Sequence, residues 1–526
     1  MSNRPTRRVT LATLSFALLF TCLQLSARPS LFTGPVQVTG GQIRGIRLED
    51  GGAVFKGIPF ARPPVGDLRW HDPDPVISWS GVQDATSLGR PCAQGPQLQP
   101  AYSQVSSEDC LYLNVWAPEW PVRHRVPVMV WITGGGNYGG NASVAKYDGE
   151  SLAKHGVVVV SFNYRLSLVG FLAHPVFSRE SPHHSSGNYG LLDQIAALRW
   201  SRDNITGFGG DPEEVTIFGE SAGGLDVNYL MVSPLTVGLF KRAIVESGAV
   251  TSLGPALPLA TAEREGEQLV GRMTASEADL ERLRRLSPAE VFAVEPPYFT
   301  HAPTGLLAVL DGYVLRDQPS DIFAGGQERR VPLIIGSNAR ERIPGSVLPE
   351  SLPDAIRSRY GSIAARAQAL YAGAASTDVS YGTPAEQWAT DVSFRCSSVL
   401  EAAWHSAAGN RTYLYEFARV PKGRESFGAS HAGELPYVFG VLTPEALAGA
   451  VFSEVDAHLS SVVQAYWTNF AKSGDPNGRG LPTWPRYQGQ TRAYVAFANE
   501  GPVARDNLRR EQCDLYAKSL GRPYPR

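Results

Sequence analysis

The hexapeptide Phe218-Gly219-Glu220-Ser221-Ala222-Gly223 constrains this chain more than any other feature. A β-type run, Val215-Thr216-Ile217-Phe218, enters it, and a helix-compatible stretch from Ala222 to Met231 leaves it. A G-x-S-x-G turn between strand and helix is sharp and strained. At Gly219 and Gly223 a side chain would collide with neighbouring backbone. The serine is pushed out at the top of a sheet, with the positive end of a helix beneath it. That placement suits a hydroxyl that attacks a carbonyl carbon. The pattern alone is short and occurs by chance in loops, so its weight comes from the flanking strand and helix and from partner groups elsewhere.

The rest of the chain predicts the sheet that such a turn needs. Buried-strand runs are expected at Val126–Ile132, Val157–Tyr164, Val215–Phe218, Ala243–Val245, Val331–Ile335 and Thr412–Phe417, with Ala493–Phe497 as the last strand. A small hairpin is expected over Gly34–Ile46. Helical stretches are read at Asn188–Trp200, Thr261–Met273, Ser397–Ala408 and Glu454–Ser473. Near-continuous apolar runs alternating with helices indicate a mostly parallel sheet covered on both faces. The helix-rich segment Leu253–Ala324 falls between two strands and is expected to cap the site. No linker divides the chain, so residues 28–526 read as one large α/β domain.

Acyl transfer needs more than a serine. Thr133-Gly134-Gly135-Gly136 follows the strand ending at Ile132, and successive glycines can turn N–H groups toward a substrate. Gly135, Gly136 and the N–H of Ala222 are the candidate oxyanion donors. Gly134, Gly136 and Gly139 also spell a dinucleotide fingerprint, but Asn137–Asp148 reads as loop and no acidic residue follows the next strand. The chain order for this type of nucleophile is serine, acid, histidine. His431, in the loop Gly428–Gly433, is the candidate base. His405 and His458 sit in helical periodicity, and each reads as a satisfied or a surface histidine. Glu341, just past the strand ending at Ile335, is the candidate acid; Asp226 is the leading substitute, and pairing of Glu341 with Arg340 or Arg342 is the structural alternative.

Composition limits the rest. A formal net charge of -2 gives no case for a nucleic-acid surface. Arg4, Arg7 and Arg8 precede an apolar stretch from Val9 to Leu25, and Ser26-Ala27 offers small residues for cleavage. Residues 1–27 therefore read as a secretory signal, which predicts a secreted or periplasmic mature protein with no stable membrane span. Beyond Cys22, four cysteines remain: Cys92, Cys110, Cys396 and Cys513. They lack metal-ligand spacing, and an even number in an exported chain predicts two disulfides, with three pairings open. No metal or organic cofactor is called for.

Several stretches together carry a family likeness. They are Phe55–Ala61 with Pro63–Gly66, Ser107–Val115, Asn163–Leu166, Phe208–Pro212, the serine turn, and His431 through Glu434-Leu435 to Tyr437–Gly440. The chain resembles the type-B carboxylesterase and cholinesterase family, and bacterial para-nitrobenzyl-esterase-like members most in flavour. The resemblance implies an α/β-hydrolase fold with its site at the foot of a gorge. It implies Ser221, Glu341 and His431 as the triad and Gly135, Gly136 and Ala222 as oxyanion donors. It favours Cys92–Cys110 and Cys396–Cys513 bridges, and it makes Glu220 and Glu434 acidic gorge residues that tune the site. Thr133, Asn137, Asp226 and Arg342 depart from the family pattern, standing where relatives often carry His or Tyr, an aromatic, Ser and Gly. The short loop between Cys92 and Cys110 has no Trp to hold choline by a cation–π contact, which argues against choline esters. The expected function is hydrolysis of a small-molecule carboxylic ester through an acyl-enzyme. The alternatives are a neuroligin-like interaction protein without catalysis, or an amidase, thioesterase or carbamate hydrolase using the same machinery.

Overall fold

A computed structural model describes residue 1 and residues 31–96, 100–252, 254–273, 279–296, 308–341, 348–372, 379–522 and 524–525. Apart from Met1, the expected signal segment lies outside them, as do Arg342 and residues 297–307. Residues Phe32–Arg526 cluster as one compact unit.

An eleven-stranded sheet organises this unit. Numbered along the chain, its strands are β1 (Ile46–Arg47), β2 (Ala53–Pro59), β3 (Tyr112–Ala117), β4 (Val126–Ile132), β5 (Val158–Phe162), β6 (Gly210–Glu220), β7 (Arg242–Glu246), β8 (Leu333–Asn338), β9 (Thr412–Phe417), β10 (Tyr494–Ala498) and β11 (Gly501–Arg505). Their spatial order is β11-β10-β9-β8-β7-β6-β4-β5-β3-β2-β1. The block from β10 to β5 is parallel, and both margins are antiparallel. This is the α/β-hydrolase architecture.

The sequence dictates why this sheet is buried on both faces. Successive side chains of a strand point to opposite faces, so a run apolar at every position must be covered twice. Val128, Val130 and Ile132 of β4 join one core cluster, and Met129 and Trp131 join the other. The same split divides Val215 and Ile217 from Phe218, and Leu333 and Ile335 from Ile334. Helices Tyr189–Asn204, Ala222–Val232, Cys396–Ala407 and Glu454–Ser473 supply buried faces to these clusters.

Two expectations need correction. Ala493–Phe497 is not the last strand: β11 follows it and pairs antiparallel with β10. The Gly-Pro-Val-Ala-Arg composition of β11 hides it, because an edge strand that is half exposed need not be apolar. The hairpin Val36–Val38 with Gly41–Arg44 forms, but it gains a third strand, Val82–Asp84, and stands apart from the main sheet. The described part of the segment Leu253–Ala324 is helix-rich, as expected. Pro288–Phe292 lies against Ser167–Phe171, and Pro319–Ala324 lies against the helices Ala222–Val232 and Cys396–Ala407.

Both cysteine pairs form bridges. Cys92 joins Cys110 across a separation of 18 residues, and Cys396 joins Cys513 across 117. The second bridge ties the C-terminal helix Arg510–Ser519 to the helix Cys396–Ala407. Among the described residues, no helix is long and apolar enough to cross a membrane, and no group of His, Cys, Asp and Glu could hold a metal ion.

Candidate active site

Strand register brings the site together. Gly219 pairs with Ile132 and Glu220 with Glu246, while Glu246 also pairs with Gly336. The carboxyl ends of β4, β6, β7 and β8 therefore finish at one edge. Ligands of open α/β sheets bind outside that edge.

Ser221 occupies the turn after β6 with φ 58° and ψ −125°, a conformation costly for any residue with a side chain. The glycines make it possible. A Cβ on Gly223 would lie 2.1 Å from the Ile132 carbonyl oxygen, and one on Gly219 would lie 2.5 Å from that of Gly223. The strained serine is held with its hydroxyl toward the histidine.

His431, in the loop after β9, faces Ser221 with Nε2 at 2.9 Å from Oγ. Its Nδ1 lies 2.6 Å from Glu341 Oε2. The carboxylate accepts a hydrogen bond from Nδ1–H and so keeps the proton on Nδ1, which leaves Nε2 of the neutral ring to accept from the serine hydroxyl. The other oxygen of Glu341 accepts from Ser247 Oγ at 2.6 Å and from the Asn338 backbone N–H at 2.7 Å. The Glu341 N–H in turn donates to Thr390 Oγ1 at 3.0 Å. The Phe394 ring packs on the imidazole, centroids 4.8 Å apart. Arg340 pairs with Glu386 at 2.6 Å, which removes it as a partner for Glu341.

The glycine loop lies against this centre. A Cβ on Gly134 would approach the Ser221 Cβ to 3.0 Å. Gly135 has φ 120°, and a Cβ there would lie 1.7 Å from the Gly139 carbonyl oxygen. Among the described residues no acceptor takes the N–H of Gly135 or Gly136. Ala222 opens the helix after the elbow, where first-turn amides have no intrahelical partner. No helix follows Gly139 as a dinucleotide site would require. The cavity is lined by Tyr102, Gly134–Gly136, Lys146, Tyr147, Glu220, Ser221 and His431.

Asp226 is not a spare acid. It is fully buried, one turn into the helix, and accepts from Asn137 Nδ2 at 3.0 Å and Gln194 Nε2 at 2.6 Å. Burial pushes its carboxyl up to about 7, against those two hydrogen bonds. Tyr164 Oη reaches both Asn137 Oδ1 and the Thr133 carbonyl, at 2.8 and 2.7 Å. Two departures from the family pattern, Asn137 and Asp226, are thus hydrogen-bond partners that brace the glycine loop from behind. His405 is a satisfied core residue, with Glu328 at 2.7 Å and the Val331 carbonyl at 2.8 Å, and His458 is exposed.

The buried carboxyls of Glu220, Glu341 and Glu434 act on the imidazole, and Glu246 lies beside Glu220 on the neighbouring strand. Glu220 Oε1 lies 3.1 Å from Nε2 and lines the cavity. Glu434 is 1% exposed, bonds Asn338 Nδ2, and is not among the lining residues. Glu246 accepts from Trp467 Nε1 at 2.7 Å. Burial raises the carboxyl of Glu220, opposed by His431, and raises that of Glu246 to about 8. Glu434 is raised by burial and then by Glu220 and Glu246. For His431, burial disfavours the cation, but Glu220 and Glu341 outweigh it and lift the imidazole to about 9. The base is neutral only above that range, so kcat/KM is expected to climb through neutral pH toward about 9. Glu220→Gln removes one lifting charge and should move this limb down by about one unit or more. A limb that stays in place in a pH–rate profile would exclude this role for Glu220.

The sequence profile of the Carboxylesterase family matches residues 33–516. The chain belongs to the carboxylesterase family. This carboxylesterase is 37% identical over 460 residues to the fumonisin B1 esterase of Sphingopyxis macrogoltabida, covering 83% of this chain and 81% of that protein. It is also 37% identical over 506 residues to the medium-chain fatty acyl-CoA hydrolase precursor of Anas platyrhynchos, covering 88% of each. Among solved structures it resembles a PNB esterase with a TM-score of 0.79 and 33% identity, over 92% of this chain and 99% of that one. The carboxylesterase is therefore a carboxylic ester hydrolase on an α/β-hydrolase fold.

Reasoning from sequence missed Ser247, Asn338, Thr390 and Phe394. Ser247 had a findable signal: it directly follows a buried strand, where functional side chains gather. Nothing local marks the others.

Behind the triad lies a buried ionic shelf. Arg395 is fully buried, bonds Glu416 Oε1 at 2.9 Å and also bonds Asp391 and the Ala339 carbonyl. Arg395→Ala strips a cation from two buried carboxylates and should cost about 3–5 kcal/mol of stability, readable as a lower midpoint in urea unfolding.

Proposed function

We propose that this carboxylesterase is an exported serine hydrolase whose nucleophile, base and acid are Ser221, His431 and Glu341. The observation that carries this reading is the unbroken chain of contacts from hydroxyl to imidazole to carboxylate, at 2.9 and 2.6 Å, beside unclaimed backbone N–H groups. His431 takes the Ser221 proton as Oγ bonds to the ester carbonyl carbon. The carbonyl oxygen becomes an oxyanion held by the N–H groups of Gly135, Gly136 and Ala222. The imidazolium, flanked by Glu341 and Glu220, returns its proton to the departing alkoxide. An alcohol leaves and the acyl group stays on Ser221. Water, deprotonated by the same imidazole, then releases the acid. Glu220 and Glu434 tune the site electrostatically.

Export is supported by the basic-then-apolar N-terminal sequence and by two disulfides, which persist in oxidising compartments. The substrate is a small-molecule ester. The esterase and acyl-CoA hydrolase names of the relatives keep oxygen esters and thioesters both in view. The test is labelling by a fluorophosphonate, with the modified residue located by mass spectrometry. Stoichiometric labelling at Ser221 is expected. A folded preparation that hydrolyses esters without labelling there overturns the assignment. Matched ester, thioester and amide substrates, run side by side, order the chemistry; the expected rank is ester first.

A further inference from the structure

Two cations line the cavity of Ser221 and the one adjoining it, and among the described residues neither forms an ion pair. Lys146 lines the same cavity as Ser221 and is half-buried. Its ammonium lies over the Tyr147 ring, 4.6 Å from the centroid, and Tyr102 lines the same cavity. A second cavity adjoins the first and shares Lys146, His431 and Ala432 with it. Arg424 lines this second space. It is 9% exposed, so about nine-tenths buried, and it donates only to neutral oxygens: the Ala448 carbonyl and Ser430 Oγ, both at 2.9 Å. Among the described residues its Nε has no acceptor.

Burying a guanidinium without a carboxylate is costly, and chains rarely do so without a use for the charge. Here the walls between the two cations are apolar, with Phe427, Leu435 and Leu447 among them. Such a space fits a short hydrocarbon that ends in an anion. Among the described residues, neither Lys146 nor Arg424 is ion-paired with the carboxyls beside the imidazole; Glu220 acts on Lys146 from a distance, and burial alone pushes the Arg424 guanidinium down.

Resting on the assignment of Ser221 as nucleophile, we infer that this enzyme takes esters that carry a free carboxylate, seated between Lys146 and Arg424. The ammonium, on a flexible stem, meets the anion as a point charge; the guanidinium adds N–H donors fixed in direction. The same pair repels cationic esters.

The test uses p-nitrophenyl esters in matched pairs: the monoesters of succinate, adipate and suberate against the butyrate, hexanoate and octanoate. A parallel pair places the charge on the alcohol, 4-carboxyphenyl hexanoate against 4-acetylphenyl hexanoate. The readout is the kcat/KM ratio of charged to neutral ester, after subtracting buffer hydrolysis. The full-length enzyme should favour the charged member at least tenfold in one series. Lys146→Met should cut that ratio at least tenfold, Lys146→Arg should keep it within threefold, and Lys146→Glu should turn preference toward the 6-aminohexanoate ester. Because Arg424 is buried, Arg424→Met is judged only on protein that retains fluorophosphonate labelling, and it should lower the ratio as well. A neutral preference in every series, or a ratio that Lys146→Met leaves unchanged, overturns the inference while the esterase assignment survives. Hydrolysis of neither member with no labelling of Ser221 removes both.

Discussion

Ser221→Ala is expected to lower kcat by about 10⁵- to 10⁶-fold and to abolish fluorophosphonate labelling, with circular dichroism and the urea midpoint unchanged. The reasoning is chemical. The methyl group leaves His431 nothing to deprotonate, and the residual rate comes from a bound ester and the N–H donors of the glycine loop acting on water. His431→Ala should cost a similar factor, because a serine without its base is a poor nucleophile. The double variant should be hardly worse than either single one, since the two side chains act as one unit. Among the described residues His431 is the hydrogen-bond partner of the Ser221 hydroxyl, so its removal costs little stability. Additive losses in the double variant would mean that Ser221 and His431 serve different steps.

Glu341→Gln is the second large effect, about 10⁴-fold in kcat. The geometry explains why so slight a change matters. Glu341 Oε1 accepts two hydrogen bonds, from Ser247 Oγ and the Asn338 N–H. An amide placed there keeps its oxygen toward these donors and turns its NH2 toward His431. Nδ1 must then accept, which moves the ring proton to Nε2, facing Ser221. The serine is now hydrogen-bonded to a ring that cannot take its proton. The loss should therefore fall on kcat more than on KM. Its companion measurement is Ser247→Ala, which frees the amide to rotate and should soften the defect in the double variant.

How much of this was legible follows from how local each signal is. The elbow at Ser221 and the strands β4, β6, β8 and β9 announce themselves through glycines and unbroken apolar runs. Glu341 and His431 required only chain order and their place after strand ends. What the sequence could not convey is convergence. Thr390 and Phe394 reach the triad from a helical turn with no motif, and Asn137 meets Asp226 across 89 residues. Asp226 looked like a spare acid because proximity in sequence to Ser221 was legible, whereas its enclosure by Asn137 and Gln194 was not. The strand β11 escaped because a sheet margin imposes no apolar pattern. Lys146 and Arg424 carry no signal in the sequence because a lone cation there resembles any solvated one; only enclosure without an ion pair makes it unusual.

The Cys396–Cys513 bridge has a reach beyond its own position. Cys396 directly follows Phe394 and Arg395, and Arg509, just ahead of Cys513, bonds Asp391 at 2.7 Å. The tail of the chain is thereby buckled onto the very turn that presses on the imidazole. Clipping or unfastening that tail is expected to loosen the packing of Phe394 on the His431 ring, so a cut far along the polypeptide would register at the imidazole.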